Sequence, residues 1–327
     1  MTRRTRTAAL LALLAPLAPM ALGGCEWLRG STRADTVAPA DGPVEARTGA
    51  DLVAYLNRQS EAVQSVKYPR VLIDAQVGSD NFTLNDSTLV CQKPRNFSLV
   101  GGKAVMGDIV VAGSNSQEFW VYNKFSDPKY IVCSHADFER GVAQLPFPFD
   151  ADWALQALGM SPYDPNRVYK LDTDQAAREH RLSYEATTPQ GATVTRTVVF
   201  AADAAQGNRP QVLRHLIADA DGKPLATADI KQVVRLSAGR KADGSETVVE
   251  VPTEVVLEWP TQKFRMKLEL RSPELNKPIP PADSRELFTR PQIRGVTPVN
   301  LTTLQAAPSG RQFRGATPDL PPRRTRR

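Results

Sequence analysis

Apolar positions along the chain change their period part-way. Between residues 48 and 66, Leu52, Tyr55, Leu56, Ala62, Val63 and Val66 fall on one face, and only Gln59 interrupts them. Spacings of three, four and seven are those of an amphipathic helix. Thr48, with Asp51 three residues on, supplies a helix start, and Pro69 is expected to end the helix. The period then becomes two. Val71, Ile73, Ala75 and Val77 alternate with Leu72, Asp74 and Gln76. Strand-like runs follow at 88–92, 95–100, 104–112, 118–122 and 129–133. A second set lies at 168–171, 181–186, 193–200, 211–218, 229–236, 247–250, 254–259 and 264–270. The last is the most regular, with Phe264, Met266, Leu268 and Leu270 inward and Arg265, Lys267 and Glu269 outward. Asp221-Gly222 and Asp243-Gly244 read as hairpin turns. Many short-spaced strands, few helices and one-sided alternation predict a mainly β (α+β) fold built on a large curved antiparallel sheet.

Between the two sets, Leu145, Phe147 and Phe149 sit among Pro146 and Pro148, which favour an extended segment. Asp150 can then cap a short helix through Gly159 that carries Trp153, Leu155 and Leu158. Two readings stay open. The segment with Leu145, Phe147, Phe149 and Trp153 is either a plug filling the concave face of the sheet or a lid over a hydrophobic cavity.

The N-terminus has its own pattern. Arg3, Arg4 and Arg6 precede an apolar run from Ala8 to Met20, as in a signal peptide and short for a membrane span. It ends in Leu22-Gly23-Gly24-Cys25. This resembles the bacterial lipobox, which implies a diacylglyceryl group on Cys25 and cleavage between Gly24 and Cys25. An ordinary secretory signal or a short core helix are the alternatives. Acyl chains at about 0.8 kcal/mol per buried CH₂ hold a protein on a membrane stably when two or more are present. The expected division is a signal peptide over 1–24, a flexible tether over 25–47, a folded domain over 48–292 and a disordered basic, Pro-rich tail over 293–327. The expected location is the cell envelope, facing the periplasm or the exterior, with membrane lipid as partner through Cys25.

Charge supports that division. The chain has 41 Lys+Arg against 35 Asp+Glu. Its excess lies in the signal segment and in a tail holding Arg311, Arg314, Arg323, Arg324, Arg326 and Arg327, so the body between is slightly acidic. A globular nucleic-acid binder carries its basic stripe on the folded domain, and that class is excluded.

Candidate chemistry is sparse. No His-Glu-x-x-His, Gly-x-Ser-x-Gly, P-loop or Gly-x-Gly-x-x-Gly occurs. Three His and three Cys argue against a multi-ligand zinc site or an iron–sulfur cluster, and His135, His180 and His215 lack ligand spacing. Asp219-Ala220-Asp221-Gly222 reads as a hairpin turn, because its Gly comes too early for a calcium loop. No cofactor, metal or catalytic residue is expected. Cys91 and Cys133 are either a disulfide or two buried thiols; a simple meander puts three strands between them, far beyond disulfide reach unless the sheet curls sharply.

The order of elements resembles the LolA/LolB-like lipoprotein carriers. A lipoprotein signal precedes an amphipathic helix and an antiparallel meander. Thr88-Leu89-Val90-Cys91-Gln92-Lys93-Pro94-Arg95-Asn96-Phe97 is similar to the family's hairpin of strand, basic-Pro and aromatic strand. Glu118-Phe119-Trp120-Val121-Tyr122 resembles its aromatic–Val–Tyr strand. Phe264–Leu270, then Leu275-Asn276-Lys277-Pro278-Ile279-Pro280 and Leu287-Phe288, resemble its last strand, Asn-containing link and closing Phe. The resemblance spans 48–292. It implies an unclosed, twisted β-barrel of about eleven strands with a few capping helices. It also implies a concave face for a lipid, an acyl chain or a lipoprotein. Three functions are weighed: a binding protein of this kind, a structural or regulatory envelope lipoprotein with a filled core, and a hydrolase.

Overall fold

The computed structural model describes residues 46–103, 107–124, 128–142, 151–202, 210–240 and 244–306, with only the backbone for 151–152 and 304–306. Gly24, Cys25, the tether to 45, Leu145, Phe147, Phe149 and the tail from 307 lie outside the described residues.

Helix α1 (Gly49–Ala62) leads into strands β1 (Ser65–Val77), β2 (Asp80–Gln92), β3 (Asn96–Lys103), β4 (Gly107–Ser114), β5 (Glu118–Asn123) and β6 (Tyr130–Ser134). Helices α2 (His135–Glu139) and α3 (Ala151–Ala157) separate these from a second meander. That meander comprises β7 (Lys170–Asp174), β8 (Glu179–Thr187), β9 (Thr193–Ala201), β10 (Gln211–Ala218), β11 (Pro224–Arg240), β12 (Glu246–Trp259) and β13 (Phe264–Arg271). Strand β14 (Glu274–Leu275), helix α4 (Pro281–Leu287), strand β15 (Val299–Asn300) and helix α5 (Leu301–Ala306) follow.

The strands form one sheet in the order β15-β6-β5-β4-β3-β2-β1-β13-β12-β11-β10-β9-β8-β7, with β14 on β1. The first and last long strands therefore meet in the middle, antiparallel from Arg70↔Arg271 to Val77↔Phe264. Every pairing is antiparallel except that of β15 with β6. The path does not return from β7 to β15, so the sheet is open. This is the mainly β, unclosed architecture expected, with fifteen strands in place of about eleven.

Local chemistry explains the boundaries. Thr48 Oγ1 accepts from the Asp51 N–H at 3.2 Å while Asp51 accepts from the Thr48 N–H at 3.0 Å, a complete capping box. Hydrogen bonds from Thr48 hold the Asp51 carboxyl below the usual carboxylate range. The helix ends at Ala62, not at Pro69. Val63 and Val66 continue the helical spacing, but Val66 already belongs to β1, and Pro69 lies inside that strand at a shift of register between Tyr68 and Val71. Proline removes a ladder donor, so strands tolerate it at bulges. A similar irregularity at Pro252 keeps β12 a single strand where two runs were expected. Asp219 Oδ1 accepts from the N–H groups of Asp221 and Lys223, the hairpin turn predicted there.

The fold continues past residue 292. Tyr130 donates to the Pro291 carbonyl at 2.7 Å, Ile293 and Val296 pack on Trp120, Tyr122 and Tyr130, and Leu301 is fully buried beside Phe119 and Cys133. Strand β6 is thereby covered on both faces, which accounts for its unbroken run of buried residues from Tyr130 to Cys133. Cys91 and Cys133 are both free and buried, on strands with three others between them, so the disulfide alternative does not hold in this structure. Burial pushes both thiols up, Cys133 to about 11.

Candidate functional site

The inner face of β9 to β13, β1 and β2 carries the largest core. Val71, Ile73, Ala228, Ile230, Val255, Leu268 and Leu270 belong to it. Two helices cover this face by different means. Helix α1 seats Leu52, Val53, Tyr55 and Leu56 on Leu182, Tyr184, Val198 and Phe200, with Tyr55 edge-on to Phe200. Polar side chains then fasten it. Asn57 Oδ1 accepts from the Tyr163 N–H at 2.7 Å, and its Nδ2 donates to the Tyr163 carbonyl at 2.9 Å. Ser60 Oγ donates to the Met160 carbonyl at 3.2 Å, and Lys93 Nζ donates to the Ser60 carbonyl. At the C-terminal end Asn276 Nδ2 donates to Ala62 at 2.7 Å and to Ala238 at 3.3 Å. Its Oδ1 accepts from the N–H groups of Gln64 and Ser65.

Helix α3 is seated by apolar contact. Trp153, Leu155 and Ala157, with Met160 just beyond, are buried in the main core. Trp153 stands edge-on to Trp259 at 6.3 Å. The helix ends at Ala157, and the turn after it places Gly159 at a φ of +73°, which suits a residue without a Cβ. Of the lid candidates, Trp153 is thus placed on the inner face itself.

Where α1, the end of α3 and β10–β12 meet, a cleft of about 50 Å³ remains. A water needs about 10–15 Å³ of such space, and pockets for small organic ligands begin at about 300 Å³. The cleft therefore admits a few waters or one small polar group, and no acyl chain. Tyr55, Gln59, Gln156, Ser161, Tyr163, His215 and Glu250 line it beside apolar residues. Gln59 Oε1 accepts from the Glu250 N–H at 3.0 Å, Tyr55 donates to Glu250 Oε2 at 3.4 Å, and Arg235 Nε pairs with Glu250 Oε1 at 3.2 Å. The Tyr163 hydroxyl lies 3.4 Å from His215 Nδ1. Burial pushes the His215 imidazole down to about 4, so it is neutral at pH 7.

On the reverse face, β7–β10 bound an open groove of about 820 Å³. Lys170, Asp172, Arg181, Ser183, Glu185, Thr195, Thr197 and Arg214 line it together with Val168, Tyr184, Val199 and Leu216. Arg181 pairs with Asp174 and Glu179, and Arg214 with Asp229. Its size would hold a ligand, and its lining is amphipathic.

Neither of the other histidines is placed as a base. His135 Nε2 is 3.2 Å from Ser114 Oγ and 2.8 Å from the Asn115 carbonyl. A carbonyl only accepts, so Nε2 carries the proton and cannot take one from Ser114. His180 lies fully buried with Nδ1 3.0 Å from Thr173 Oγ1. Neither pair lines either cleft described above. Among the described residues no group of three or more His, Cys, Asp or Glu is arranged to hold a metal ion.

No protein-family model and no curated protein matches the chain. Solved structures do. One is a domain from Vibrio parahaemolyticus described as an outer membrane lipoprotein-sorting protein. It is 10% identical with a TM-score of 0.45, over 72% of this chain and 97% of that one. A LolA superfamily protein from Nitrosomonas europaea is 13% identical with a TM-score of 0.43, over 75% and 99%. A DUF1329 family protein from Desulfovibrio piger is 13% identical with a TM-score of 0.38, over 76% and 99%. The architecture rests on the sheet order given above.

Residues that sequence reasoning did not single out for the site are Asn57, Tyr163, His215, Glu250 and Asn276. One signal pointed here: Gln59 is polar on an otherwise apolar helix face, and it lines the cleft.

Proposed function

We propose that the protein is a lipid-anchored, non-catalytic protein of the bacterial envelope that holds an apolar ligand on the inner face of its sheet. The ligand class is a lipid, an acyl chain or the acylated end of a lipoprotein. The observation that carries this reading is the unequal attachment of the two covering helices. Polar side chains fasten α1 and the Met160–Tyr163 exit of α3, whereas α3 itself rests on the core through Trp153, Leu155 and Ala157. Apolar contacts of that kind can be exchanged for contacts with an acyl chain at little net cost. In this reading α3 is a closed lid, and Trp153 occupies the ligand's place. The anchor is Cys25, supported by the basic and apolar segments that precede it. No helix among the described residues is long and apolar enough to cross a membrane.

A second reading, a structural or regulatory lipoprotein with a filled core, is favoured by the small size of the cleft and by the burial of Trp153, which is 2% exposed. Trp153→Ala separates the two. A lid predicts tighter binding of a fluorescent acyl probe and a stability loss of about 1–2 kcal/mol, below the usual cost of emptying a core site. A filled core predicts about 3–5 kcal/mol, measured by urea unfolding, with no binding. The anchor is tested separately: Cys25→Ser should release the protein from membranes in a high-salt wash. Retention would overturn the anchor.

A further inference from the structure

The cleft beside the lid contains polar groups that neither the packing of α1 nor that of α3 requires. His215, 4% exposed, lines it from β10. Its Nδ1 faces the Tyr163 hydroxyl, and no hydrogen bond engages its Nε2 among the described residues. We assign the Tyr163 hydroxyl as the donor to Nδ1, which puts the proton of the neutral ring on Nε2. The ring then presents a neutral N–H donor. Gln59 adds a second: its Oε1 is taken by the Glu250 N–H, so its amide N–H₂ is left to the cleft that it lines. The one charged group in the lining is the Glu250 carboxylate. Its guanidinium partner, Arg235, is half-exposed and outside the lining.

Two neutral donors beside a carboxylate select among acyl ligands. A carbonyl oxygen accepts from both donors. A free carboxylate would accept too, but it would stand beside Glu250 in a place with little water, where like charges repel strongly. The space of about 50 Å³ is that of a carbonyl group and not of a chain.

We propose that this cleft recognises the uncharged ester carbonyl of an acyl-chain ligand, with His215 and Gln59 as donors, and that Glu250 discriminates against free fatty acid. This rests on the acyl-ligand reading above: the chain takes the seat of Trp153 and the ester lies at the neighbouring cleft.

The test uses the full-length protein in mild detergent and two probes with the same pyrene-labelled chain, one a methyl ester and one the free acid, both at pH 7.5. The ester should bind at least about tenfold more tightly. His215→Phe and Gln59→Leu should each weaken the ester several-fold and leave the acid nearly unchanged. Glu250→Gln should bring the acid close to the ester, a gain of binding that a misfolded variant cannot produce. Equal affinity of the two probes for the unmodified protein overturns this inference and leaves the acyl-ligand reading standing. Ester affinity that is unmoved by both donor substitutions does the same. Binding of neither probe overturns both.

Discussion

Helix α1 and helix α3 cover neighbouring parts of one sheet face. Lys93, just after β2, and Asn276, in the link after β14, satisfy carbonyls at the C-terminal end of α1 and the N–H groups that follow it, and Ser60 of α1 itself donates to the loop after α3. The described side chains of α3 that enter the core are apolar. A directional bond loses most of its value with a small displacement, whereas an apolar contact can be remade with another apolar partner. The first helix is therefore fixed in place and in angle, and the second is seated through the apolar side chains described above. If the inner face has a working part, it is on the α3 side, and the polar fasteners keep the rest of the face in shape while that part moves.

The fastening of α1 depends most on Asn276. Its side chain closes four hydrogen bonds, and its backbone is left-handed at φ +50°. Asn276→Ala should cost about 3 kcal/mol in urea unfolding, combining lost hydrogen bonds with the strain of a Cβ residue in that region. Asn276→Gly removes the strain and keeps the loss of bonds, so it should recover about 1 kcal/mol. A negligible effect of both would mean that apolar packing alone holds α1, and the contrast between the helices would fail.

The next effect is set by pH. His215 titrates at about 4 in the folded protein because burial disfavours its charged form, against about 6.5 when unfolded. Between these values the unfolded chain binds the extra proton, so stability is full above about pH 6.5 and falls as pH drops toward 4. The loss is on the order of 3 kcal/mol. Among the described residues the ionisable groups that line the cleft with the ring are the Tyr163 hydroxyl beside it, the Tyr55 hydroxyl of α1 and the Glu250 carboxylate. His215→Phe should flatten this part of the stability profile. A profile of unchanged slope would show that His215 is not held neutral beneath α1.

A smaller loss, about 2 kcal/mol, is expected for Asn57→Ala, which removes both bonds from α1 to Tyr163. Because that link joins the fixed helix to the exit of the seated one, amide exchange should rise in 158–164 and hardly at all in β13. A uniform rise would mean that the two regions open together.

Legibility follows the range of the forces involved. The start of α1 could be read because Thr48 and Asp51 are three residues apart. Its end could not, because Val63 and Val66 keep the helical spacing while the stop is made by Asn276, more than two hundred residues away. Alternation gave most of β13 and β9. It missed the first half of β2, where Asp80, Asn81, Asn85 and Asp86 are polar and the pairing with β1 supplies the order. Nothing local announces β15, whose two residues are strand only because β6 lies beside them. At the site, Gln59 stood out as a polar residue on an apolar face. His215 would have needed the phase of β10, which turns it inward with Ile217, and the pairing with Glu250 crosses sheet and helix, a distance no periodicity reports.

The smallest effect belongs to the junction between the two regions. Gly159 follows α3 at φ +73°, and a Cβ there would meet no atom within 4 Å. A substitution is thus free of collision and is opposed by backbone conformation alone. Gly159→Ala should cost about 1 kcal/mol, and Gly159→Asn less, because asparagine tolerates the left-handed region better. If α3 swings about this residue, the stiffer backbone should slow acyl-probe association in both variants more than it changes the affinity. A loss much above about 1 kcal/mol for alanine would show that α3 is locked by contacts beyond its apolar seat. Unchanged association at unchanged stability would place the hinge elsewhere.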